Sequence, residues 1–342
     1  MTKQIGWIEE GTEGTDPLSA GSALITFGID GEFDRPHPQG DQEIAAILHE
    51  DSKAPVDLVA GMRSVKIKHQ FLYQHGWEWY YLLGKKAHTS GTGVTNLDTV
   101  TLGTLAGNIS LASHPIKSRT VYSRIDSDVI SATGCKTKSF AIHCETPDPG
   151  QKPKPIWCDL ELWGWKTATA AATVTAAPTY PTGLINVKAK GVEMVKVKTL
   201  EGVALANLRD ITIGGINMLD YHGGLGSLDP RGIKQLEGTK IFIEGLATLD
   251  FTANDALASA RANFTSGFTA GTTHTFVFTI GFDSTPTDYH TITLENVFIH
   301  SLKPTVYMKK TEAYAFMGEV MADGTNEPIS VGLHDRVEYQ SA

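Results

Sequence analysis

Cysteine is scarce in this chain. Three residues in 342, Cys135, Cys144 and Cys158, include no CxxC pair, which argues against a zinc ribbon and a disulfide-dense scaffold. Cys144 and Cys158 lie on either side of the turn TPDPGQKPKP. A disulfide between neighbouring strands is open there, but free buried thiols are the expected state. No apolar run approaches the ~20 residues that a membrane-crossing helix needs. The opening MTKQIGWIEEGTEGTDPLSAG lacks the basic and apolar regions of a secretory signal. The expectation is a protein made and used in a cytoplasm, or exported by another route.

A surplus of cations is missing as well. Lys and Arg number 29 against 38 Asp and Glu, for a net charge of −9. Such a chain does not hold DNA phosphates by counterion release. It can still enclose a duplex, because a like-charged wall repels it and leaves it free to slide. The sequence has no GxSxG elbow, no Walker loop and no HExxH helix. The stretch GGLGSLDPRG from Gly223 lacks the GK[ST] ending of a phosphate loop and reads as a flexible link. His69 and His75 span a strand-to-helix transition, and His143 and Cys144 are adjacent on a strand, so neither pair shares a metal. No cofactor and no metal are expected.

What is present is strand signal. Thr, Val and Ile are plentiful and the turns are rich in Gly and Pro. Residues 1–20 read as an extended arm. Residues 31–55 read as a long polar loop, with only Ile44 to His49 suited to regular structure. Val65, Ile67, His69 and Phe71 share one strand face, and Lys66, Lys68 and Gln70 the other. A short amphipathic helix follows, with Trp77, Tyr80 and Tyr81 at helical spacing and Gly84 as its left-handed stop. Thr120 to Ile130 and Lys136 to Glu145 alternate. In IWCDLELWGW, Trp157, Asp159, Glu161, Trp163 and Trp165 share a face, and Cys158, Leu160 and Leu162 the opposite one.

The segment KTATAAATVTAAPTYPTG is low in complexity and falls near the midpoint, so it reads as a linker. Beyond it, residues 203–220 suggest a strand pair around Gly214 and Gly215. From Gly238, GTKIFIEGLATLDFTANDALASARANFTSG repeats the strand-then-helix order. Thr252 and Asp255 begin that helix and Gly267 ends it. The pairing of SFAIHCE with IWCDLELWGW corresponds to that of LENVFIHSL with AYAFMGEVMA, and Ala313 to Met321 is the last well-signalled strand. The order of elements implies a duplication, with a first domain at 1–166, a linker at 167–183 and a second domain at 184–342. The fold class is mainly β, as two tandem β-barrel or β-sandwich domains, each with one flanking α-helix.

The run VKIKHQFLYQHGWEWYYLLGKK is similar to the strand-then-helix segment, ending in LLG, of phage tail tube proteins, the major tail proteins of long-tailed, siphovirus-like phages. The later segments TGCKTKSFAIHCETP, WCDLELWGWKT, DITIGGINMLDYHG, GTKIFIEGLATLDF and HTITLENVFIHSLKPTVYMKKTEAYAFMGEVMADG resemble that family in order. The likeness covers roughly residues 20–325 and carries no catalytic signature. The resemblance implies rings of six domains joined strand to strand, stacked into a hollow tube through which phage DNA leaves. With two domains per chain, three copies would form a pseudo-sixfold ring, while six copies with a decorating domain is the rival. It also implies a non-enzymatic virion protein, assembled in the host cytoplasm, with tape-measure and tail-terminator proteins as partners and DNA passing without specific binding.

On this reading Phe33, Asp34, Arg35, His37, Glu43, Ile44 and Ile47 are candidates for contact between rings. Asp126, Asp128, Asp159 and Glu161 are candidates for an acidic lumen or surface face. Two other classes stay open. One is a carbohydrate-binding or adhesin-type β module of a tail tip or cell surface, stacking sugars on the Trp157–Trp165 face. The other is a β-rich hydrolase using carboxylates such as Asp159 and Glu161.

Overall fold

The computed structural model describes residues 3–17, 32–33, 38–39, 42–45, 57–60, 64–89, 96–102, 116–125, 128–147, 150–151, 154–164, 166–169, 195–200, 203–204, 208–222, 232–235, 238–249, 273–281, 289–307, 311–321 and 327–335. They are mainly β, with one helix and a large antiparallel sheet. The first half holds β1 (Lys3–Glu9), β2 (Glu32–Phe33), β3 (Pro38–Gln39), β4 (Gln42–Ala45), β5 (Asp57–Ala60) and β6 (Ser64–Leu72). After α1 (Trp77–Leu83) come β7 (Gly84–Thr89), β8 (Asn96–Leu102), β9 (Arg119–Ile125), β10 (Asp128–Glu145), β11 (Trp157–Gly164) and β12 (Lys166–Thr169). The second half holds β13 (Val195–Leu200), β14 (Val203–Ala204), β15 (Leu208–Ile216), β16 (Leu219–His222), β17 (Gly232–Gln235) and β18 (Lys240–Leu249). It ends with β19 (His274–Gly281), β20 (Tyr289–Tyr307), β21 (Thr311–Val320) and β22 (Ile329–Asp335).

The same scheme of pairings occurs in both halves. In the first, β10 pairs with β9, β11 and β12, while β11 pairs with β6 and β9 with β1. In the second, β20 pairs with β19, β21 and β22, while β21 pairs with β18 and β19 with β13. The irregularities repeat too. β10 bulges between Ala132 and Cys135 and again between Thr137 and Ser139. β20 bulges between Leu294 and Val297 and again between Ile299 and Ser301, at the same spacing. Inside the first bulge of each strand sits a left-handed residue, Gly134 (φ 66°) in one and Asn296 (φ 56°) in the other. A bulge of this kind holds one residue in the left-handed region where the strand kinks, which glycine adopts freely and Asn tolerates better than most other side chains.

The halves are hydrogen-bonded to each other. β10 pairs with β15 from Ser139↔Ile216 to Glu145↔Asp210, and β8 pairs with β22. One cluster of buried residues runs from Trp7 to Leu333 and draws on both halves. The described pairings branch at β10 and β20, and no ring of paired strands closes among the described residues.

Several expectations need correction. The opening residues are no free arm: β1 pairs along β9, and Trp7 is fully buried. Gly214 and Gly215 do not turn the chain but lie inside the continuous β15. Thr120 to Ile130, read as one alternating run, is divided between β9 and β10, and β10 runs on through 131–135 to Glu145, with Gly134 taking up the kink. The 31–55 loop contains short strands: β2 and β3 lie along β6, and β4 pairs with β5. Thr167 to Thr169, assigned to the linker, pair with β10 as β12, whereas 170–183 fall outside the described residues. The second helix, near 252–267, also falls outside them. The glycine-rich link from Tyr221 is flanked by a hairpin, β16 with β17. A strand beyond Met321, β22, buries Ile329, Val331 and Leu333.

The helix is the largest departure in character. All seven residues of α1 are buried, so it is a plug within the core rather than an amphipathic flank. Its one charge is neutralised in place. Arg119 donates from Nη1 and Nη2 to the Glu78 carboxylate at 2.8 and 2.6 Å, with both side chains fully buried. The guanidinium also lies over Tyr81 at 4.4 Å and Trp7 at 5.1 Å. Leaving either charge without its partner would cost about 3–5 kcal/mol. Gly84 ends the helix in the left-handed conformation, as its sequence position implies.

The shared kink gives a direct check. Asn296→Gly should leave urea stability within about 0.5 kcal/mol, whereas Asn296→Val should lower it by about 1–2 kcal/mol. Equal stability of the two variants would show that the left-handed kink carries no cost.

Candidate functional site

No deep catalytic constellation dominates the described residues, and the most elaborated region is the joint between the halves. β15 reaches β10 closely because Gly214 allows it, and Gly215 makes room for β18 and α1. A Cβ on Gly214 would stand 2.6 Å from the Phe140 carbonyl oxygen, and one on Gly215 would stand 2.7 Å from Ile241. Asn217, fully buried, closes the end of this ladder. Its backbone N–H donates to the Lys138 carbonyl at 2.8 Å, and its Nδ2 donates to the carbonyls of Thr137 at 2.8 Å and Leu82 at 3.2 Å. Lys138 Nζ donates to the Asn217 carbonyl at 2.8 Å. A second set of bonds ties in the hairpin β16–β17: Lys136 Nζ donates to the Ile233 carbonyl and to Glu13, each at 2.7 Å. On the far side, Tyr73 Oη meets His290 Nδ1 at 2.7 Å, and Lys85 pairs with Glu327 at 2.9 Å.

The ribbon β6–β11–β10–β15–β18–β21 turns one face to the core and one to solvent. Strand β11 follows its expected alternation: Cys158, Leu160 and Leu162 are buried, Asp159 is exposed, and Trp157, Glu161 and Trp163 are partly covered. Asp159 and Glu161 therefore share the outer face. That face is not of one sign, since Glu161 stands opposite Lys68 and Trp163 opposite Lys66. Gln70 Nε2 donates to Asp159 at 3.0 Å. Asp128 begins β10, far along the strand from Ala141, which faces Asp159, so the two acidic pairs are not brought together. Asp126 lies outside the described residues.

Of the loop candidates, Phe33 is in β2 opposite His69, and Glu43 and Ile44 are in β4 opposite Val59 and Leu58. Asp34, Arg35, His37 and Ile47 lie outside the described residues.

Across three strands of the outer face, Thr212 Oγ1 lies 2.9 Å from His143 Nδ1, and His143 Nε2 lies 2.8 Å from Asp159 Oδ2. The order of groups resembles a nucleophile, base and orienting acid. The His143–Asp159 contact lacks hydrogen-bond alignment despite its length. Both side chains are well exposed, at 37% and 53%. An open sheet face excludes no water and aims no donors at a developing oxyanion. Cross-strand pairing explains the contact.

The aromatic row is no bare sugar platform either. The Trp163 ring stacks on Tyr221 at 5.2 Å, and the Lys66 and Lys138 ammoniums lie 5.0 and 4.8 Å from its centre. Trp165 lies outside the described residues. His69 and His75 are both buried, and no cluster of three or more metal-binding side chains occurs among the described residues.

The three thiols are free and buried. Ile142, not Cys144, stands opposite Cys158 in the β10–β11 ladder. Burial pushes the Cys144 thiol up to about 12, with Lys198 pulling it down and Asp210 adding to the rise. Burial also raises Cys135 and Cys158 well above the ordinary thiol range.

Two functional features escape sequence reading. Asn217 carries no motif, and only its place after a glycine pair marks it. Trp7 had a signal, as a large aromatic in an otherwise polar opening. The chain matches no protein-family model and no curated protein sequence.

The thiols set an alkaline limit. They stay neutral in the fold while the unfolded chain ionises from about pH 9, so their contribution is complete below pH 9 and is lost as pH rises toward 12. The urea midpoint should hold from pH 7 to 8.5 and fall steadily above 9. At pH 8 a thiol reagent should label no cysteine in the native protein and all three in denaturant. Rapid native labelling would contradict the burial.

Proposed function

We propose that this chain is a structural, non-enzymatic ring former of the tail tube type. Copies join strand to strand into a ring, and rings stack into a hollow tube that lets phage DNA pass. The observation that carries this reading is the repeated pairing scheme, with the second half docked on the first by continuous ladders. Each half then acts as one tube domain, and the β10–β15 and β8–β22 joints are in-chain counterparts of the contacts that neighbouring domains make in a ring. The sheet edges of each copy find partners in the next, which removes the hazard that open edges pose.

The dimensions suit the role. Along the ribbon, β2 with β3, then β6, β11, β10, β15, β18, β21 and β20 occupy eight strand positions. Three copies, with strands about 4.8 Å apart and tilted about 40°, would close a barrel roughly 50 Å across its backbone. That bore admits a duplex after side chains are added. Its wall would carry mixed charge with an acidic surplus from the chain as a whole, which favours passage over binding. Tape-measure and tail-terminator proteins are the expected partners, and the virion tail the expected location.

The hairpin β4–β5 pairs within itself as a separate two-stranded sheet. It carries Glu43 and Ile44 and is the segment we assign to ring-to-ring contact. Negative-stain microscopy of the purified protein should show rings or tubes with three copies per ring. A chain that stays monomeric at high concentration in sedimentation would end this reading. Replacing residues 42–60 by a short turn should leave rings but stop tube growth, and normal tubes from that variant would remove the hairpin from the contact.

A further inference from the structure

Strand β10 has two flanks. Along one run β11 and then β12, both antiparallel, with the register shifting by one at the Thr137–Ser139 bulge. Along the other, β9 covers its first part and β15 its last, from Ser139 to Glu145. Strand β20 is built alike: β21 and β22 lie along one flank, and β19 covers the start of the other. The remaining stretch, Ser301–Tyr307, has no second strand beside it among the described residues. Matching the two bulges places Ser301 on Ser139 and Tyr307 on Glu145.

The strand that should fill this edge can be read in the same way. β15 lies on β18 in the second half as β2 and β3 lie on β6 in the first. Aligning the β6–β11 ladder with the β18–β21 ladder sets Gln70 on Leu246 and Ser64 on Lys240. Their partners follow: Glu32 takes the place of Asp210, and Gln39 that of Ile216. The outer flank of β2 and β3 is likewise without a strand among the described residues. The second joint agrees. β22 is flanked by β20 and β8, whereas its counterpart β12 pairs only with β10 among the described residues. Both positions that the first half fills on the second are open where the second half should fill them on the next copy.

We propose, on the ring reading above, that the Ser301–Tyr307 edge of β20 takes β2 and β3 of a second copy. The pairing is antiparallel, with Ser301 opposite Gln39 and Tyr307 opposite Glu32, and it carries the one-residue shift that already separates the β2 and β3 registers on β6. Pro304 stands at the middle of this edge. In β10 the matching residue is Ile142, opposite Ile213. The bonds from Thr146 N–H to the Arg209 carbonyl and from Asn217 N–H to the Lys138 carbonyl mark the bonded pairs of that ladder. By the two-residue alternation Ile142 is one of them. Pro304 therefore leaves the contact without one ladder bond at its middle, between the stretches that β2 and β3 would pair. The contact is head to tail, so it repeats around a ring rather than stopping at a dimer.

The matched positions Ser301 with Gln39 and Tyr307 with Glu32 are non-bonded pairs, where antiparallel Cα atoms come closest. Single variants Ser301→Cys and Gln39→Cys are prepared separately, mixed before assembly and oxidised. A species of twice the chain mass should appear on a non-reducing gel in the mixture and in neither variant alone. Glu32→Cys mixed with Tyr307→Cys should behave the same way. Each chain carries one added thiol and the native three are buried, so an internal bridge cannot mimic the result. Dimer from Ser301→Cys alone would mean a two-fold contact and overturn the assignment. Rings by microscopy without cross-linking in either mixture would overturn these edges and leave the ring reading standing. Neither rings nor cross-links would overturn both.

Discussion

The ladder between β10 and β15 is the constraint on which the rest of the molecule depends. It is the place where the two halves stop being neighbours in sequence and become one sheet. Backbone hydrogen bonds supply its direction, and Gly214 supplies its closeness. Asn217 supplies its end point by satisfying carbonyls of Thr137 and Leu82 that the ladder leaves behind. Buried polar groups of this kind are costly unless every partner is present. The joint therefore has a single register, and that register fixes where every strand of the second half sits.

Around this joint the core is organised by a charge pair rather than by hydrophobicity alone. Glu78 and Arg119 sit fully buried between α1 and β9, with aromatic rings on the guanidinium. An apolar pair could fill the same space. The ionic pair holds the helix at one rotation, because a bidentate fork tolerates little turning. Tyr81 adds a bond to Glu9 and is kept neutral by its own burial and by the Glu9 charge. The first strand is thereby tied to the helix, which explains why the opening residues are part of the core.

Much of the fold was legible in the sequence because period-two alternation survives in single strands. Val65 to Phe71, Cys158 to Leu162 and Phe276 to Ile280 bury the residues that alternation selects. Gly84 marked the helix end for the reason that makes glycine the usual stop. What was not legible is longer in range. Gly214 and Gly215 look like a turn, and only the neighbouring strand reveals that they make room. α1 looks amphipathic because Glu78 is charged, and its buried partner lies 41 positions away. Asp159 and Glu161 were correctly set on one face, but the lysines of β6 opposite them depend on strand order. β22 carried a clean alternation in ISVGLHD, with its short length and a glycine obscuring it.

The joint between the halves has a thermodynamic consequence of its own. Both of its strands belong to one polypeptide, so its formation is unimolecular and does not depend on dilution. A partner held by a tether is present at a fixed effective concentration, whereas a partner from solution must be found. Any larger assembly built from this chain would come apart in whole chains, never in single halves. The smallest kinetic unit of growth would carry one preformed junction and need only the other kind.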